Sequence, residues 1–183
     1  YGNTYLDKNG NQFPGGVFST VKDFSEGLAA VVPNVSNRKD YQGYGYIDKT
    51  GKMVIEPQFG FAGQFHEGVA RVQSSETKKY GMIDKAGKVI IPLEYGQNNN
   101  GPYVHEPSDG LILAYDEPNG YWGYFDTKGN IAIPFQYAYA NDFHAGYAKV
   151  KLGKKETFID KTGRDILPGD HYEYVEQLKV DDE

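Results

Sequence analysis

The segment GYIDKTG (Gly45 to Gly51) decides the fold, because it recurs along the chain with the same spacing of Asp and Gly. The related copies are YLDKNG from Tyr5, GMIDKAG from Gly81, GYFDTKG from Gly123 and TFIDKTG from Thr157. An Asp can accept backbone hydrogen bonds, and a Gly three residues later tolerates positive φ, so the pair predicts a hairpin with a type I turn and a bulge. We expect such hairpins near Asp7, Asp48, Asp84, Asp126 and Asp160.

A second pattern alternates with these hairpins and ends in an apolar strand. It reads FSEGLAAV from Phe24, FHEGVARV from Phe65, SDGLILA from Ser108 and FHAGYAKV from Phe143. The alternation in VARV and YAKV predicts a strand with one buried and one solvated face. Two patterns that repeat in register over most of the chain predict an all-β fold, a tandem β-repeat array of three-stranded units.

A Pro followed by an aromatic residue links each hairpin to the second pattern. The linking segments are EPQF from Glu56, PLEY from Pro92 and PFQY from Pro134. Because Pro has no N–H group to donate to a neighbouring strand, we expect each hairpin strand to end at the Pro. We expect the units to follow a curved or superhelical solenoid. The alternative is a closed β-propeller, in which the N-terminal hairpin would complete the last unit.

The composition favours strands and excludes several classes of function. Sixteen Tyr, ten Phe and 23 Gly with only two Met favour short strands and tight turns. The formal net charge is −6 and the basic residues are scattered among acids, so no nucleic-acid binding is expected. The absence of Cys excludes disulfides, zinc thiolate sites and Cys nucleophiles. The apolar runs are too short for a membrane span.

The chain is expected to form one repeat domain over residues 1–168, followed by an acidic tail over residues 169–183. It opens at Tyr1 rather than at Met, as expected of a processed protein. If the processing is natural, it favours an extracellular or cell-envelope location, with the cytoplasm as the alternative.

The segment YWGYFDTKGNIAIPFQY (Tyr121 to Tyr137), together with FHAGYAKV, resembles the WG repeat, a bacterial tandem module. The resemblance covers residues 1 to about 168. It implies an all-β, non-catalytic domain of the cell envelope or of multidomain proteins, with a role in interactions and no catalytic residues. The signature Trp occurs once, as Trp122, with Tyr44 and Tyr80 at the equivalent positions. Polar pairs replace Trp-Gly in the first and last copies, as Asn3-Thr4 and Glu156-Thr157, which predicts capping units.

A second resemblance is to bacterial cell-wall-binding repeats, which hold choline or glycan between aromatic rings. Those repeats are about half as long and lack the Pro-aromatic and Phe-x-Glu-Gly segments, so this resemblance ranks behind the WG repeat. It implies that stacking on a sugar or a quaternary ammonium group would use Tyr121, Trp122 and Tyr124. The position of Trp122 in the repeat favours burial over ligand contact.

Two polar insertions mark the expected recognition surface, because insertions in loops add specificity to a repeated scaffold. They are NVSNRKDYQ (Asn34 to Gln42) and GQNNNGPYVHEP (Gly96 to Pro107). Aromatic residues in or near them are the expected anchors for a protein partner, the function that the sequence favours. His105 lies in the second insertion and is the His that the repeat explains least. The candidate anchors are Tyr41, Tyr103 and Tyr115.

Catalysis, metal binding and a cofactor are not expected. His66 and His144 share one repeat position, which indicates a structural role. Asp109 occupies the acidic position before Gly110, equivalent to Glu26 and Glu67, so turn capping is favoured over a role as a glycosidase carboxylate. No Ser adjoins a base in any recognised motif, and the DKTG turn offers too few oxygen ligands for calcium.

Overall fold

The chain folds into antiparallel β-strands, and the computed structural model describes residues 17–34, 43–98 and 101–167. No helix occurs in these ranges. The strands are β1 (Phe18–Val21), β2 (Leu28–Pro33), β3 (Tyr44–Asp48), β4 (Met53–Ala62), β5 (Val69–Ser74), β6 (Tyr80–Asp84), β7 (Val89–Tyr95), β8 (Gln97–Asn98), β9 (Gly101–Pro102), β10 (Leu111–Asp116), β11 (Tyr121–Asp126), β12 (Ile131–Tyr137), β13 (Tyr139–Ala140), β14 (Tyr147–Leu152) and β15 (Lys155–Asp160). The predicted hairpin at Asp7 and the predicted tail at 169–183 lie outside the described residues.

Every strand pairing joins two strands that are consecutive in the chain. Strands β1 to β7 form one seven-stranded sheet in chain order, while β10 to β12 and β13 to β15 form two three-stranded sheets. Strands β8 and β9 form a short ribbon. Within the described ranges no pairing closes a barrel, and the prediction of an all-β tandem repeat array is confirmed. The superhelical path stays a prediction.

Each unit contains a two-residue turn between its first two strands. The backbone groups of Ser25 and Leu28 exchange two hydrogen bonds, and Glu26 and Gly27 both have positive φ, at 49° and 93°. Positive φ at both central residues defines a type I′ turn, whose twist matches that of the paired strands. We number the units one to four by the first central residue of this turn: Glu26, Glu67, Asp109 and Ala145.

The predicted Asp turns are confirmed at Asp48, Asp84, Asp126 and Asp160. In the first, Asp48 Oδ1 accepts hydrogen bonds from the N–H groups of Thr50 and Lys52 at 2.8 and 3.1 Å. The Thr50 hydroxyl donates to the same oxygen at 2.6 Å. The hydroxyl makes the largest contribution to lowering the pKa of Asp48, and the two N–H groups add to it. Gly51 closes the turn with a φ of 85°.

In three units, a Gly lies where two backbones come very close together. A Cβ on Gly81 would lie 2.5 Å from the carbonyl oxygen of Ile91 and 2.6 Å from that of Pro92. The equivalent distances from a Cβ to the backbone of the facing strand are 2.5 Å at Gly45 and 2.8 Å at Gly123. The pairing register shifts at each of these glycines, because three residues of the facing strand oppose one Gly and form a bulge.

The expectation that Pro ends the hairpin strand is wrong. Strand β4 continues through Pro57, β7 through Pro92 and β12 through Pro134. Each Pro lies among the three residues of the bulge, where the ladder of hydrogen bonds is interrupted. A missing N–H donor costs nothing there, so each strand continues past its Pro, and β4 goes on to pair with β5 of the next unit.

The hydrophobic core consists of layers between successive units. Strands β2 and β3 bury Ala29 and Ile47 on one face and Ala30 and Tyr46 on the other. The second face packs on Ala70, Val72 and Ile83 of unit two. The next two layers repeat this arrangement, between units two and three and between units three and four.

Two tyrosine hydroxyls are buried inside these layers and are satisfied there. Tyr46 packs edge-on against Phe65 and donates its hydroxyl to the Gly63 carbonyl at 2.8 Å. Tyr124 does the same with Phe143 and the Asn141 carbonyl, at 2.7 Å. Burial is the main cause that raises the pKa of both phenols. Each hydroxyl therefore ties one unit to the next.

The acidic residue of each type I′ turn bonds to the turn of the following unit. Glu26 Oε2 accepts a hydrogen bond from the N–H group of Gly68 at 3.0 Å. Two equivalent bonds of 2.7 Å join Glu67 to Gly110 and Asp109 to Gly146. The expected role of Asp109 in its own turn is thus replaced by a bond across the unit boundary.

Unit four departs from this pattern. Ala145 stands in place of the acid, and Thr157 stands where the other units have the close-contact Gly. The Thr157 hydroxyl donates to Asp165 Oδ1 at 2.6 Å, and Lys155 pairs with Asp165 Oδ2 at 2.8 Å. These polar contacts occupy the place of the bulged strand, which agrees with a capping unit.

Replacing Gly81 with Ala should lower the free energy of unfolding by about 3 kcal/mol, because the new methyl group meets two backbone carbonyls that cannot move independently. Urea unfolding followed by far-UV circular dichroism measures the change. Gly96→Ala is the matched control, since its Cβ meets only side-chain atoms of Lys79, Glu117 and Tyr103. A loss no greater than that of the control would contradict the close contact.

The contacts of Asp165 with Lys155 and Thr157 should make the stability of the fold depend on pH in the acid range. The hydrogen bond from Lys155 and then that from Thr157 lower the pKa of Asp165 to about 2. Because the pKa of Asp165 is lower in the folded state than in the unfolded state, ionised Asp165 stabilises the fold fully above about pH 4. This stabilisation is lost as the pH falls toward 2. We expect urea midpoints of the native chain and Asp165→Asn to differ at pH 5 and converge at pH 2. A difference independent of pH would contradict this role.

Candidate functional site

Three aromatic side chains form a row on the surface of unit three. Tyr115 lies directly opposite Trp122 across β10 and β11, and their ring centroids are 5.0 Å apart. On the other side of β10, the Tyr115 N–H donates to the Tyr103 carbonyl at 2.7 Å, and the two rings lie 4.9 Å apart. Directly paired residues of neighbouring strands share a face, so the pairing places all three rings together. Each ring is half-buried.

His105 extends the row toward unit four. Its ring lies 5.6 Å from that of Trp122, in an edge-on arrangement. Its Nδ1 is 3.0 Å from both carboxylate oxygens of Asp142, which precedes β14. We call Tyr103, His105, Tyr115, Trp122 and Asp142 the Trp122 cluster. It joins the second insertion to the body of units three and four.

The same face continues over units one and two as an aromatic stripe. Tyr44 and Tyr80 occupy the Trp122 position of their units, and Phe61 lies between them with ring distances of 6.4 and 6.2 Å. Two cations cover these rings. Lys22 Nζ lies 4.1 Å from the Phe61 centroid, and the Arg71 guanidinium lies 5.9 Å from that of Tyr80. This geometry permits cation–π contacts along the stripe.

An open groove of about 450 Å³ lies beside the stripe. It is lined by Val21, Lys22, Asp23, Phe61, Gly63, Gln64, His66 and Glu106. Burial lowers the pKa of Lys22, whose ammonium group donates to the Ala62 carbonyl at 2.8 Å. Glu106 Oε1 pairs with Arg71 Nη2 at 3.1 Å. The atoms Glu106 Oε2 and Arg71 Nε are buried beneath the groove and have no hydrogen-bond partner among the described residues.

The structure brings four of the predicted site residues together: Tyr103, His105, Tyr115 and Trp122. Tyr121 is exposed, and its neighbour Trp122 projects to the opposite side of β11 because side chains alternate along a strand. The prediction that Tyr124 contacts a ligand is wrong, because its side chain is fully buried between units three and four. Tyr41 lies outside the described residues.

Several members of this surface were not predicted. The equivalence of Tyr44 and Tyr80 to Trp122 was visible in the sequence and could have indicated the stripe. Lys22 and Arg71 carried no comparable signal, because their role depends on which side of each strand faces the stripe. Asp142 contacts His105 across 37 residues, a distance in sequence that no local pattern covers.

The remaining histidines lie in the type I′ turns. The backbones of His66 and His144 pair with Val69 and Tyr147 at equivalent places in units two and four. No group of His, Asp or Glu in the described ranges is arranged to hold a metal ion. No helix long and apolar enough to cross a membrane occurs in those ranges.

The fold and the surface define a class of protein: a tandem β-repeat array in which a Trp or Tyr precedes the close-contact Gly of each full unit. The family described as WG containing repeat matches residues 44–75, 80–97 and 122–155. The chain belongs to this family. No curated protein and no solved structure matches the chain.

Replacing Tyr115 with Ala should shift the fluorescence emission of Trp122 to longer wavelength, because the indole ring loses the side chain that covers one of its sides. Trp122 is the only Trp, so the spectrum reports this site alone. Acrylamide should quench the variant more strongly than the native chain. Tyr121→Ala is the control, since Tyr121 lies on the opposite side of β11. Equal spectra for the native chain and Tyr115→Ala would contradict the packing of the row.

Proposed function

We propose that the chain is a non-catalytic module that recognises a protein partner through the Trp122 cluster and the aromatic stripe. The observation that carries the proposal is the identity of the cluster residues. At the Tyr115 position the other units have Val32, Gln73 and Lys151, and at the His105 position they have Lys22, Gly63 and Asn141. The repeat therefore does not require an aromatic ring at either position, and both residues are specific to unit three.

The chemistry of this face suits a protein partner. Half-buried Tyr and Trp rings supply contact area at a small cost in side-chain entropy. Arg71 and Lys22 flank the rings, and aromatic residues with Arg are enriched at the centres of protein interfaces. The groove beside the stripe can accept a side chain of the partner, whose polar group would reach Glu106.

The cluster also argues for binding rather than catalysis. His105 and Asp142 form the base and orienting pair found in many hydrolases, but such a pair needs a nucleophile within hydrogen-bond reach. In the described part of the chain, the only hydrogen-bond partner of the His105 side chain is Asp142. The same pair crosslinks units three and four, which is a sufficient structural role.

Binding of a cell-wall glycan or of choline is the second candidate. Rings 4.9 to 5.0 Å apart in a row could stack on successive sugars. The rings are tilted against one another by 48° and 47°, so they do not present one flat platform. Protein recognition therefore ranks first. We propose a bacterial cell-envelope or extracellular setting, alone or as part of a multidomain protein, with the cytoplasm as the alternative.

The test is site-specific photocrosslinking in the native source. A photoreactive phenylalanine at position 115 should capture a discrete protein from envelope or soluble extracts, while the same group at position 121 should not. The captured protein, once purified, should bind the native chain, and Tyr103→Ala with Tyr115→Ala should weaken binding about thirtyfold, as for loss of a central interface residue.

Sedimentation with isolated cell wall is the companion measurement. Retention of the native chain on cell wall that is lost in the double variant, without a crosslinked protein, would replace the first proposal by glycan binding. If the double Ala variant loses its circular dichroism signal, it is not folded. The variant to use is then Tyr103→Phe with Tyr115→Phe. Equal capture at positions 115 and 121 would contradict the assignment of this face.

A further inference from the structure

The half-buried rings of the aromatic stripe and the Trp122 cluster carry hydrogen-bond donors that the fold does not use. The buried hydroxyls of Tyr46 and Tyr124 each donate to a carbonyl of the next unit. Five other donors have no acceptor within hydrogen-bond distance among the described residues. They are the indole N–H of Trp122 and the hydroxyls of Tyr44, Tyr80, Tyr103 and Tyr115. This surface therefore presents a row of unused donors between its ring faces.

The same surface offers few acceptors in return, because its carboxylates are already paired with basic side chains. The pairs are Glu106 with Arg71 at 3.1 Å, Asp142 with His105 at 3.0 Å and Glu117 with Lys79 at 3.4 Å. The surface thus has more donors than acceptors available to a ligand. Since polar groups buried on binding need partners, the matching ligand is rich in acceptors and poor in donors.

The stripe and the cluster form one continuous surface through Arg71. Its guanidinium lies 5.9 Å from the centroid of the Tyr80 ring and donates to the Val104 carbonyl at 3.3 Å. Val104 lies between Tyr103 and His105 in the chain. An extended ligand can therefore contact the rings of three consecutive units.

The rings of the cluster form ridges rather than a flat platform. Tyr103 and Tyr115 are tilted against each other by 48° at a centroid distance of 4.9 Å, and Tyr115 and Trp122 by 47° at 5.0 Å. Grooves lined by aromatic side chains are the binding sites of proline-rich segments in several unrelated domains. The shape of the cluster thus suits a ligand that places compact rings between the ridges.

A proline-rich segment meets both requirements. Proline keeps its carbonyl acceptor but has no N–H donor. In the polyproline II helix no carbonyl is used in an internal hydrogen bond, and the helix exists before binding, so little conformational entropy is lost. An ordinary extended peptide would bring one N–H for each carbonyl and bury donors without acceptors. Anions are bound chiefly by Arg and Lys, and Arg71 is already paired, so the phenols and the indole favour a neutral carbonyl.

We propose that the partner presents a proline-rich segment in the polyproline II conformation, which lies along the aromatic stripe and the Trp122 cluster. Its proline rings pack between the aromatic rings, and its carbonyls accept hydrogen bonds from the tyrosine hydroxyls and the Trp122 indole. This inference rests on the proposed function and specifies the partner that the same surface recognises.

Titration of the ¹⁵N-labelled full-length chain with a capped peptide of ten L-prolines tests the proposal. The peptide is about 30 Å long in this conformation. Trp122 is the only Trp, so its indole N–H gives a single cross-peak, which should move downfield and saturate as the N–H gains a carbonyl acceptor. A peptide of ten D-prolines is the control, because it has the same composition and the opposite helical hand. No saturable shift at millimolar peptide, or an equal shift with the D-peptide, would overturn the proposal.

Removing hydroxyls without removing rings tests the donors themselves. Tyr80→Phe with Tyr115→Phe should weaken binding of the L-proline peptide about tenfold, as for the loss of two hydrogen bonds. The fold should be unaffected, because neither hydroxyl is bonded among the described residues. The matched control is Tyr121→Phe with Tyr147→Phe, which removes two hydroxyls from exposed tyrosines outside this surface and should not change the affinity. Equal affinities of Tyr80→Phe with Tyr115→Phe and of the native chain would overturn the assignment of the donors.

The photocrosslink at position 115 separates a failure of this inference from a failure of the proposed function. Mass spectrometry of the crosslinked peptide identifies the partner segment that contacts the cluster. A proline-rich segment whose capture is blocked by the L-proline peptide would support the inference. A segment without proline would overturn it and leave protein recognition intact, whereas the absence of any captured protein would overturn the proposed function itself.

Discussion

The array depends on a close contact between backbones. The glycines that follow Tyr44, Tyr80 and Trp122 each touch the bulged strand that lies opposite. With no Cβ in the way, three residues of the facing strand fit opposite one Gly. The bulge redirects that strand, so β4 pairs with β3 through its first half and with β5 through its second. One strand thereby belongs to two units. The layered core, in which each unit covers its predecessor, follows from this sharing.

The sequence predicted those features whose causes are local. Asp48 forms its turn through hydrogen bonds to groups within four residues, and Gly51 supplies the positive φ that closes the turn. The path of the chain at Pro57 was not predictable from the same rules. Its missing N–H group matters only if the ladder continues, and the bulge that interrupts the ladder depends on Gly45 in another strand.

The Trp122 cluster shows the same limit at the level of function. Tyr103 and His105 were recognisable as residues of an insertion, but their position depends on the pairing of residues 103–105 with β10. Residues 103–105 therefore take the place in unit three that β13 has in unit four. The last part of the insertion thus follows the repeat again. The prediction for Tyr124 was wrong for a related reason. The sequence around Tyr124 gave no sign that the Tyr124 hydroxyl donates a hydrogen bond to the Asn141 carbonyl in unit four.

The acids of the type I′ turns give the array a direction. Each carboxylate belongs to the earlier unit and each N–H donor to the later one, from Glu26 and Gly68 to Asp109 and Gly146. A duplicated unit inserted between two others would therefore find an acceptor before it and offer one after it, with no change elsewhere. Ala145 offers no such acceptor. The length of such a protein can thus change by duplication of whole units, and unit four lacks the acceptor that a following unit would use.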